Sequence, residues 1–528
     1  MDRVVSADAR DTELSFLIDG SRSIQTSTDR DVALMSSPRI GSFTRAALAG
    51  LLLLGTSNTS ATAQGPDGSG QQRFIENQLR PLIAPEFQKP TGEDRLLINH
   101  GAVLRSLTAW YEDHGTALPL PQESRALHIA EIRPWASLTY GNIHRGFFRG
   151  QLGYLTFNDG DQYGTRDRDT QGPYVDLAYY EFDVDAAMQQ AGIDQLDDFS
   201  GDLTIGRQFL YLGQGITFGL TTDAVSFDWS HGDWGGLAFG SQAVDRNVNF
   251  NGFPNPLAYQ LDRRRFYGGQ LEYQGWDRRE LYSYVLAQWD NSSRLFASET
   301  AYDSIYWGVG TTGEMLFGEP GQEIGIPNLR YHSEFVLQRG GHQDFAEKDD
   351  IKAWAVDAGL DYFWTTPMKP RVGFTYAKAS GDKTRVGSPL PNAGLNAPGT
   401  TDDTFIGFGY MNTGVSFQPA LSNLEFVRFS AALRPFDDAD SPSYQGIEVG
   451  TSAFLYWRPA PTAGVSDVRA NTDDDYLGYE WDLHVNWRMS SDLFLLVNYG
   501  VFVPHDGSFS PGNERSRQFF TVNLNWLL

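Results

Sequence analysis

Apolar and polar residues alternate with a period of two along many segments of the larger, C-terminal part of the chain. In segment 479–488, Trp481 and Leu483 fall on one face, whereas Glu480 and Asp482 fall on the other. Successive side chains of a β-strand point to opposite faces, so this alternation predicts a strand with one apolar and one polar face. The apolar face of the segment begins and ends with aromatic residues. This pattern is typical of the interfacial girdles of a transmembrane β-barrel.

Similar segments recur down the chain, among them 352–364, 427–434 and 520–528. Counting them gives about 18 or 19 strands, and because single-chain bacterial barrels have even strand numbers, 18 is favoured. The predicted fold is therefore all-β, a transmembrane antiparallel β-barrel of about 18 strands over residues 96–528. Residues 64–95 are polar and are expected to form a periplasmic lead-in to the barrel.

The connections between the segments differ in length. The short turns at 365–370 and 489–492 are expected on the periplasmic side, as is usual for such barrels. Longer polar connections are expected to be extracellular loops, namely 380–403, 436–446, 459–476 and 505–515. This asymmetry speaks against a water-soluble β-sandwich. Segment 183–199 departs from the strand pattern and predicts a short helix in a long loop, either folded into the lumen as a constriction or lying at the surface.

The composition agrees with a membrane barrel and excludes several other classes. Aromatic residues make up 13% of the chain, Gly occurs 55 times, and the mean hydropathy is −0.38. Beyond the N-terminal region, no run reaches the roughly 18 apolar residues of a membrane-spanning helix. The chain has no Cys, which excludes disulfides and thiolate metal sites. A net charge of −25 speaks against nucleic-acid binding, which relies on Lys and Arg.

Residues 1–63 are predicted to be a signal-peptide region. Basic residues precede the apolar run 46–54, and Ala61-Thr62-Ala63 forms a small-x-small cleavage site. The signal lies far from the first residue, whereas a start at Met35 would place it at the terminus. Residues 1–34 are therefore interpreted as an over-extended gene start. A signal peptide followed by a barrel predicts a protein of the bacterial outer membrane.

The sequence predicts no enzyme, no cofactor and no metal site. It contains no Gly-x-Ser-x-Gly elbow, no His-Glu-x-x-His pair and no phosphate-binding Gly-x-x-x-x-Gly-Lys. The nine His residues are scattered. The acidic string 473–475 is interpreted as a solvated loop rather than as a cation site.

Arginine residues recur on the predicted inner face of the barrel. The alternation places there Arg133, Arg145, Arg149, Arg264, Arg330, Arg371, Arg428, Arg434, Arg458 and Arg488. A guanidinium group keeps its charge and pairs bidentately with carboxylates, so a ladder of arginines would conduct an anionic solute through weak, repeated contacts. The same face carries acidic residues such as Glu131, Asp357 and Glu480. Two roles therefore stay open for each arginine, pore selectivity and bracing of the lumen by ion pairs.

Segment 203–211 contains Gly206-Arg207-Gln208 and here resembles the alginate-export porin family of outer-membrane barrels. Gly381-Asp382 with Asp403-Thr404-Phe405, segment 477–483 and segment 499–504 add to this resemblance, which covers residues 96–528 in layout. The resemblance implies an 18-stranded monomeric barrel whose constricted, Arg- and Lys-lined pore passes an anionic polysaccharide outward. It also implies that Arg207 is the first candidate among the pore residues.

Strict alternation nevertheless places Arg207 on the lipid side, together with Leu203 and Ile205. A charged residue at the bilayer midplane costs about 2–4 kcal/mol. A bulge or a shifted register near Gly206 is therefore expected, and it would turn Arg207 into the pore.

The predicted function is an outer-membrane channel that passes an anionic or polar saccharide, such as an alginate-like polymer, through an arginine-lined pore. A general small-solute porin on the same scaffold is the alternative. An outer-membrane enzyme and a secreted carbohydrate-binding β-protein are readings from other classes, and the sequence carries no catalytic signature for the first. The expected partners are outer-membrane lipid and lipopolysaccharide, the transported solute and periplasmic export proteins, with no nucleic acid and a monomeric state.

Overall fold

The computed structural model describes residues 96–112, 124–159, 161, 168–193, 198–244, 264–276, 278–290, 301–317, 324–344, 347–385, 396–397, 399–467 and 469–528. The predicted signal region 1–63 and the lead-in 64–95 lie outside the described residues.

Eighteen strands form one antiparallel sheet that closes on itself. In chain order they are β1 (Leu96–Glu112), β2 (Arg125–Tyr140), β3 (His144–Phe157), β4 (Arg168–Asp183), β5 (Phe199–Leu212), β6 (Phe218–His231), β7 (Trp234–Ala243), β8 (Arg265–Trp276), β9 (Arg279–Trp289), β10 (Ala301–Phe317), β11 (Ile324–Asp344), β12 (Glu347–Phe363), β13 (Arg371–Ala379), β14 (Leu424–Leu433), β15 (Ile447–Trp457), β16 (Tyr476–Arg488), β17 (Leu493–Pro504) and β18 (Arg517–Leu527). Each strand pairs with its neighbours in the chain, and β1 pairs with both β2 and β18. The prediction of an 18-stranded barrel is confirmed.

The alternation of the sequence separates the two faces of this wall. On β16, Tyr479 and Trp481 are 48% and 52% exposed on the outside, whereas Glu480 and Asp482 are buried on the inside. Apolar side chains therefore face the membrane, and polar side chains face the lumen, as in other transmembrane barrels.

Two short helices lie at the end of the barrel where β1 begins and β18 ends. Helix α1 (Val184–Gln190) follows Asp183, whose Oδ1 accepts a hydrogen bond from the backbone N–H of Ala186 at 2.8 Å. Helix α2 (Pro442–Gln445) has Pro at its first turn. Within the described residues, neither helix has the length and apolar character needed to cross a membrane.

Of the two connections that hold these helices, one agrees with the sequence and the other requires a correction. The predicted helix in 183–199 is present, and no residue of α1 is buried. The connection 436–446 lies at the same end as the short turns, because Lys369 of the turn 365–370 pairs with Asp437 at 3.0 Å. It is therefore periplasmic, not extracellular as its polar composition predicted.

Candidate functional site

The connection between β13 and β14 enters the barrel. Its stretch 399–423 is here called the lumen loop. The backbone N–H of Ile406 donates to Gln338 Oε1 at 3.1 Å, and the Ile406 carbonyl accepts from the Tyr306 hydroxyl at 2.6 Å. Gln338 and Tyr306 are fully buried side chains on the inner faces of β11 and β10. The first anchor of the lumen loop is therefore the wall formed by these two strands.

The lumen loop next contacts the connection between β5 and β6. Phe408 N donates to the Thr217 carbonyl at 2.8 Å, and Tyr410 N donates to the Gly215 carbonyl at 2.7 Å. The Phe408 ring packs against Phe266 of β8 with ring centroids 5.1 Å apart. These contacts hold the second part of the loop against the wall of β5, β6 and β8.

Two carboxylates of β16 hold the third part of the loop. Glu480 accepts hydrogen bonds from the backbone N–H groups of Ser416 at 2.5 Å and Phe417 at 2.7 Å. Asp482 accepts from Val415 N at 3.1 Å. Charge-assisted bonds of this kind are roughly twice as strong as neutral ones. The lumen loop is thus fastened to opposite sides of the barrel and crosses it in the extracellular half.

A buried ion-pair cluster fastens an extracellular connection to the rim of the barrel. Asp467, in connection 458–475, pairs with Arg469 at 2.9 Å and with Arg517 of β18. The Arg517 guanidinium also lies over the rings of Phe502 and Phe509, at 5.4 and 5.0 Å from their centroids. The cluster therefore joins this connection to β17, β18 and the connection between them.

Below the lumen loop, the strands β1–β5 present an inner face on which arginines and carboxylates alternate, here called the paired wall. Its members are Arg105, Glu131, Arg133, Arg145, Arg149, Asp176, Glu181, Asp183 and Asp202. Arg145 contacts Glu181 at 2.5 Å and Asp183 at 2.7 Å. Four arginines face five carboxylates here, so this side of the lumen is braced by ion pairs and has no positive excess.

A β-bulge on β4 supplies the central carboxylate of the paired wall. Arg149 pairs with Leu177 and Gly150 with Val175, so Asp176 is the extra residue between them. Its carboxylate lies 2.6 Å from Arg149 Nε and 3.3 Å from Arg133 Nη1. A bulge re-aims a side chain in this way, and here it allows one carboxylate to bridge two arginines.

The inner face of β11–β16 carries five arginines and is here called the basic wall. Its cationic members are Arg330, Arg371, Arg428, Arg434 and Arg488, and its acidic members are Glu334, Asp357, Asp361, Glu448, Glu480 and Asp482. Arg371 contacts Glu448 at 2.8 Å, while Arg434 Nε is 3.9 Å from the same carboxylate. Glu334, Glu480 and Asp482 accept hydrogen bonds from backbone N–H groups, so Asp357, Asp361 and Glu448 are the carboxylates left to pair with the five arginines.

Several members of the basic wall share one cavity. Asp361, Arg371, Arg428, Ser452 and His484 contribute to its lining. Arg428 Nη2 donates to the Thr375 hydroxyl at 2.9 Å, and Asp361 lines the same cavity. In addition, Arg330 lies over the Phe363 ring and Arg488 over the Phe494 ring, at 5.2 and 5.8 Å. The cavity therefore combines guanidinium, hydroxyl and imidazole groups on one side of the lumen.

Arg207 lies on the outer face of the barrel and not in the pore. The pairing of β5 with β6 runs without a shift, and the expected change of register near Gly206 does not occur. Arg207 instead forms a bidentate ion pair with Asp223, directly opposite on β6, at 2.8 and 3.1 Å. A charged side chain is tolerated on this face because a carboxylate neutralises it.

The Gly206-Arg207-Gln208 motif closes a seam in the wall. β4 pairs with β5 only over Ala178–Asp183, and the Arg207 guanidinium donates to the carbonyl of Val175 at 2.8 Å, three residues beyond the last pair. Gly206 has a φ of 128°, and a Cβ there would lie 2.3 Å from the Ala178 carbonyl oxygen, so the backbone requires Gly. The motif therefore has a structural role in this chain.

Replacing Arg207 by Gln is expected to lower stability and to leave ion selectivity unchanged. The substitution removes charge-assisted hydrogen bonds to Asp223, at a cost of about 2 kcal/mol. Denaturant unfolding in detergent measures the stability, and reversal potentials in planar bilayers measure the selectivity. A clear change of selectivity would contradict the outward placement of this side chain.

The structure thus separates the arginines that the sequence predicted as one ladder. Arg133, Arg145 and Arg149 belong to the paired wall, and Arg330, Arg428, Arg434 and Arg488 belong to the basic wall. Arg264 lies before β8 near the extracellular end, where it pairs with Asp290 at 3.0 Å and packs over Phe408 of the lumen loop. In the part of the chain that the structure describes, no group of three or more His, Asp or Glu residues is arranged to hold a metal ion.

The sequence reasoning did not find the lumen loop. Its signal is the apolar content of 405–408 and 415–421, which is unusual for a long connection between strands of a barrel. Phe405, Phe408 and Phe417 are buried inside the barrel.

Comparisons with known proteins point to one family. A family model described as alginate export matches residues 113–521. No curated protein matches the chain. Among solved structures, the chain is similar to OccK11 (OpdR) of Pseudomonas aeruginosa, with 12% identity and a TM-score of 0.46 over 82% of this chain and 96% of that one. OccK5 (OpdH) of the same organism gives 11% identity and a TM-score of 0.48 over 81% and 98%. Because the family model matches well over half of its residues, the chain belongs to the alginate export family and is an outer-membrane β-barrel channel.

Proposed function

We propose that this channel passes an anionic or polar saccharide, such as an alginate-like polymer, along the basic wall. The observation that carries the proposal is the group of arginines on the inner face of β11–β16, two of which, Arg371 and Arg428, line one cavity together with hydroxyl and imidazole groups. A carboxylated sugar offers one negative charge per residue and several hydroxyl groups. The cavity lined by Arg371, Arg428, Ser452 and His484 offers partners for both.

The sequence left two roles open for each arginine, bracing of the lumen and pore selectivity. The paired wall supports the first role, and the basic wall supports the second. On the paired wall the guanidinium groups are neutralised by carboxylates, so they support bracing of the barrel. On the basic wall, repeated guanidinium groups at increasing depth support stepwise passage of an anion, since conduction needs contacts that are numerous and individually weak. The family and the fold are those of a channel rather than of an enzyme class.

Planar-bilayer recordings test this function. The wild-type channel is expected to prefer anions and to be blocked by uronic-acid oligomers more strongly than by neutral oligosaccharides of the same length. Block by neither kind of saccharide, with conduction of small ions intact, would contradict the saccharide proposal and favour the general small-solute porin.

The double variant Arg371→Gln/Arg488→Gln is expected to weaken block by uronic-acid oligomers about tenfold. Loss of one charge-assisted hydrogen bond corresponds to about 1.5 kcal/mol, which is about tenfold in affinity. Arg207→Gln is the control, because it removes one guanidinium charge from the outer face, whereas the double variant removes two from the lumen. Equal block in the double variant and the control would show that the basic wall does not bind the anion.

A further inference from the structure

The outer wall carries an aromatic row near the extracellular ends of β10, β11 and β12. The strand register places Trp307, Leu337 and Trp354 side by side across these strands. Trp307 is 53% exposed on the outer face. Because Trp side chains gather where the hydrocarbon core meets the lipid headgroups, this row marks the membrane interface.

Two cations lie directly beyond this row. Two residues nearer the extracellular end, the same register places Ile305, Arg339 and Lys352 side by side. Two residues of extended strand span about 7 Å. Arg339 and Lys352 are therefore at the depth of the headgroups of the outer leaflet, where phosphate groups are found.

The pair of cations is only partly compensated by carboxylates of the protein. Arg339 Nη1 donates to the carbonyl of Gln338 at 2.8 Å, and its guanidinium forms no ion pair with any described carboxylate. Lys352 Nζ lies 4.0 Å from the Asp350 carboxylate, and the Asp403 carboxylate is close enough to interact electrostatically with both cations. Like charges directly opposite on neighbouring strands destabilise a sheet, so this arrangement favours a counter-anion from outside the barrel.

The nearby carboxylates leave one side of the pair open. Asp350 lies two residues beyond Lys352 on the extracellular side, and Asp403 follows Asp402, which pairs with Ile351. Neither carboxylate lies on the side of Arg339 that faces the aromatic row. An anion at the membrane surface therefore meets the guanidinium and ammonium groups first.

We propose that Arg339 and Lys352 bind a phosphate group of a lipid headgroup in the outer leaflet. The guanidinium presents a planar pair of donors that matches phosphate oxygens, and the ammonium adds a second charge from the adjacent strand. This site is on the outer surface and does not depend on which solute the pore carries.

Native mass spectrometry of the purified barrel with added lipid A tests the proposal, since lipid A is available with and without its phosphates. The wild type is expected to bind the phosphorylated form, and Arg339→Gln/Lys352→Gln is expected to bind it about tenfold more weakly, as for loss of one or more charge-assisted bonds. Lys378→Gln is the matched control, because the Lys378 ammonium already pairs with Glu425 at 2.6 Å on the same outer face. The control is expected to bind like the wild type.

Three outcomes would overturn the site. They are equal binding of the phosphorylated lipid by the double variant, equal binding of the phosphate-free lipid by the wild type, and full competition by inorganic phosphate at the concentration of the lipid. Heat-modifiable migration on gels verifies that every variant is a folded barrel. The single variant Lys352→Gln is expected to lose part of the affinity, which provides a second readout if the double variant folds poorly.

Discussion

Replacing both Glu480 and Asp482 by Leu is expected to enlarge the pore. The substitution removes the acceptors for the backbone N–H groups of Val415, Ser416 and Phe417. Each charge-assisted bond contributes about 1.5–3 kcal/mol, and each N–H group left without a partner inside the barrel costs about 1–3 kcal/mol. Both effects favour movement of the lumen loop out of the lumen. Single-channel conductance should rise severalfold, and larger neutral polymers should enter the channel.

Polymer exclusion in planar bilayers measures this change independently of charge. Glu448→Gln is the matched control, because Glu448 is also a lumen carboxylate but contacts Arg371 and not the lumen loop. The control is expected to alter ion selectivity and to keep the wild-type exclusion limit. An unchanged limit in a folded Glu480→Leu/Asp482→Leu barrel would mean that the loop does not set the width of the pore.

Replacing Arg517 by Leu is expected to destabilise the barrel by about 3 kcal/mol, since it removes one partner of a buried ion pair. Asp467 would keep only Arg469, and the rings of Phe502 and Phe509 would lose the cation above them. Denaturant unfolding in detergent, followed by Trp fluorescence, measures the difference. Arg278→Leu is the control: its pair with Glu314 is half exposed on the Arg278 side and should contribute less than about 1 kcal/mol.

The loss of stability caused by Arg517→Leu should become smaller as the pH falls. Burial alone would raise the pKa of Asp467, but Arg469 and Arg517 together hold this pKa well below its usual range. A carboxylate whose pKa is lower in the folded state contributes stability above its unfolded pKa and loses it as the pH falls. The difference between wild type and variant should therefore be constant above about pH 5 and shrink below about pH 4. A difference that grows on acidification would contradict this assignment.

The membrane barrel was predictable because its strands carry the information locally. Along β16, the alternation of Trp481 with Glu480 and Asp482 indicates which side of the strand faces lipid. In the other strands, too, the apolar positions face lipid and the polar positions face the lumen. The end of the barrel at which a connection lies follows from strand parity. The error at 436–446 arose because polar composition was used instead of that parity, and α2 with its polar neighbours looks like an extracellular loop.

The interior was less predictable because its contacts join residues far apart in the chain. Nothing near Ile406 indicates that Gln338 will bind it, and nothing near Asp176 indicates a bulge that turns its carboxylate towards Arg133. For Arg207 the alternation itself was right, and the expected bulge was wrong. The cost of a charge on the lipid side was compensated by Asp223, a partner on the next strand, rather than by a change of register.

The seam between β4 and β5 also sets how this barrel would respond to mechanical load. The other neighbouring strands share longer ladders, some of them with bulges, whereas β4 and β5 share only the six pairs that end at Ala178 and Arg207. A force that pulls neighbouring strands apart meets the least resistance there. The ring would then open into a flat sheet whose free edges are β4 and β5, while the junction of β1 with β18 stays closed.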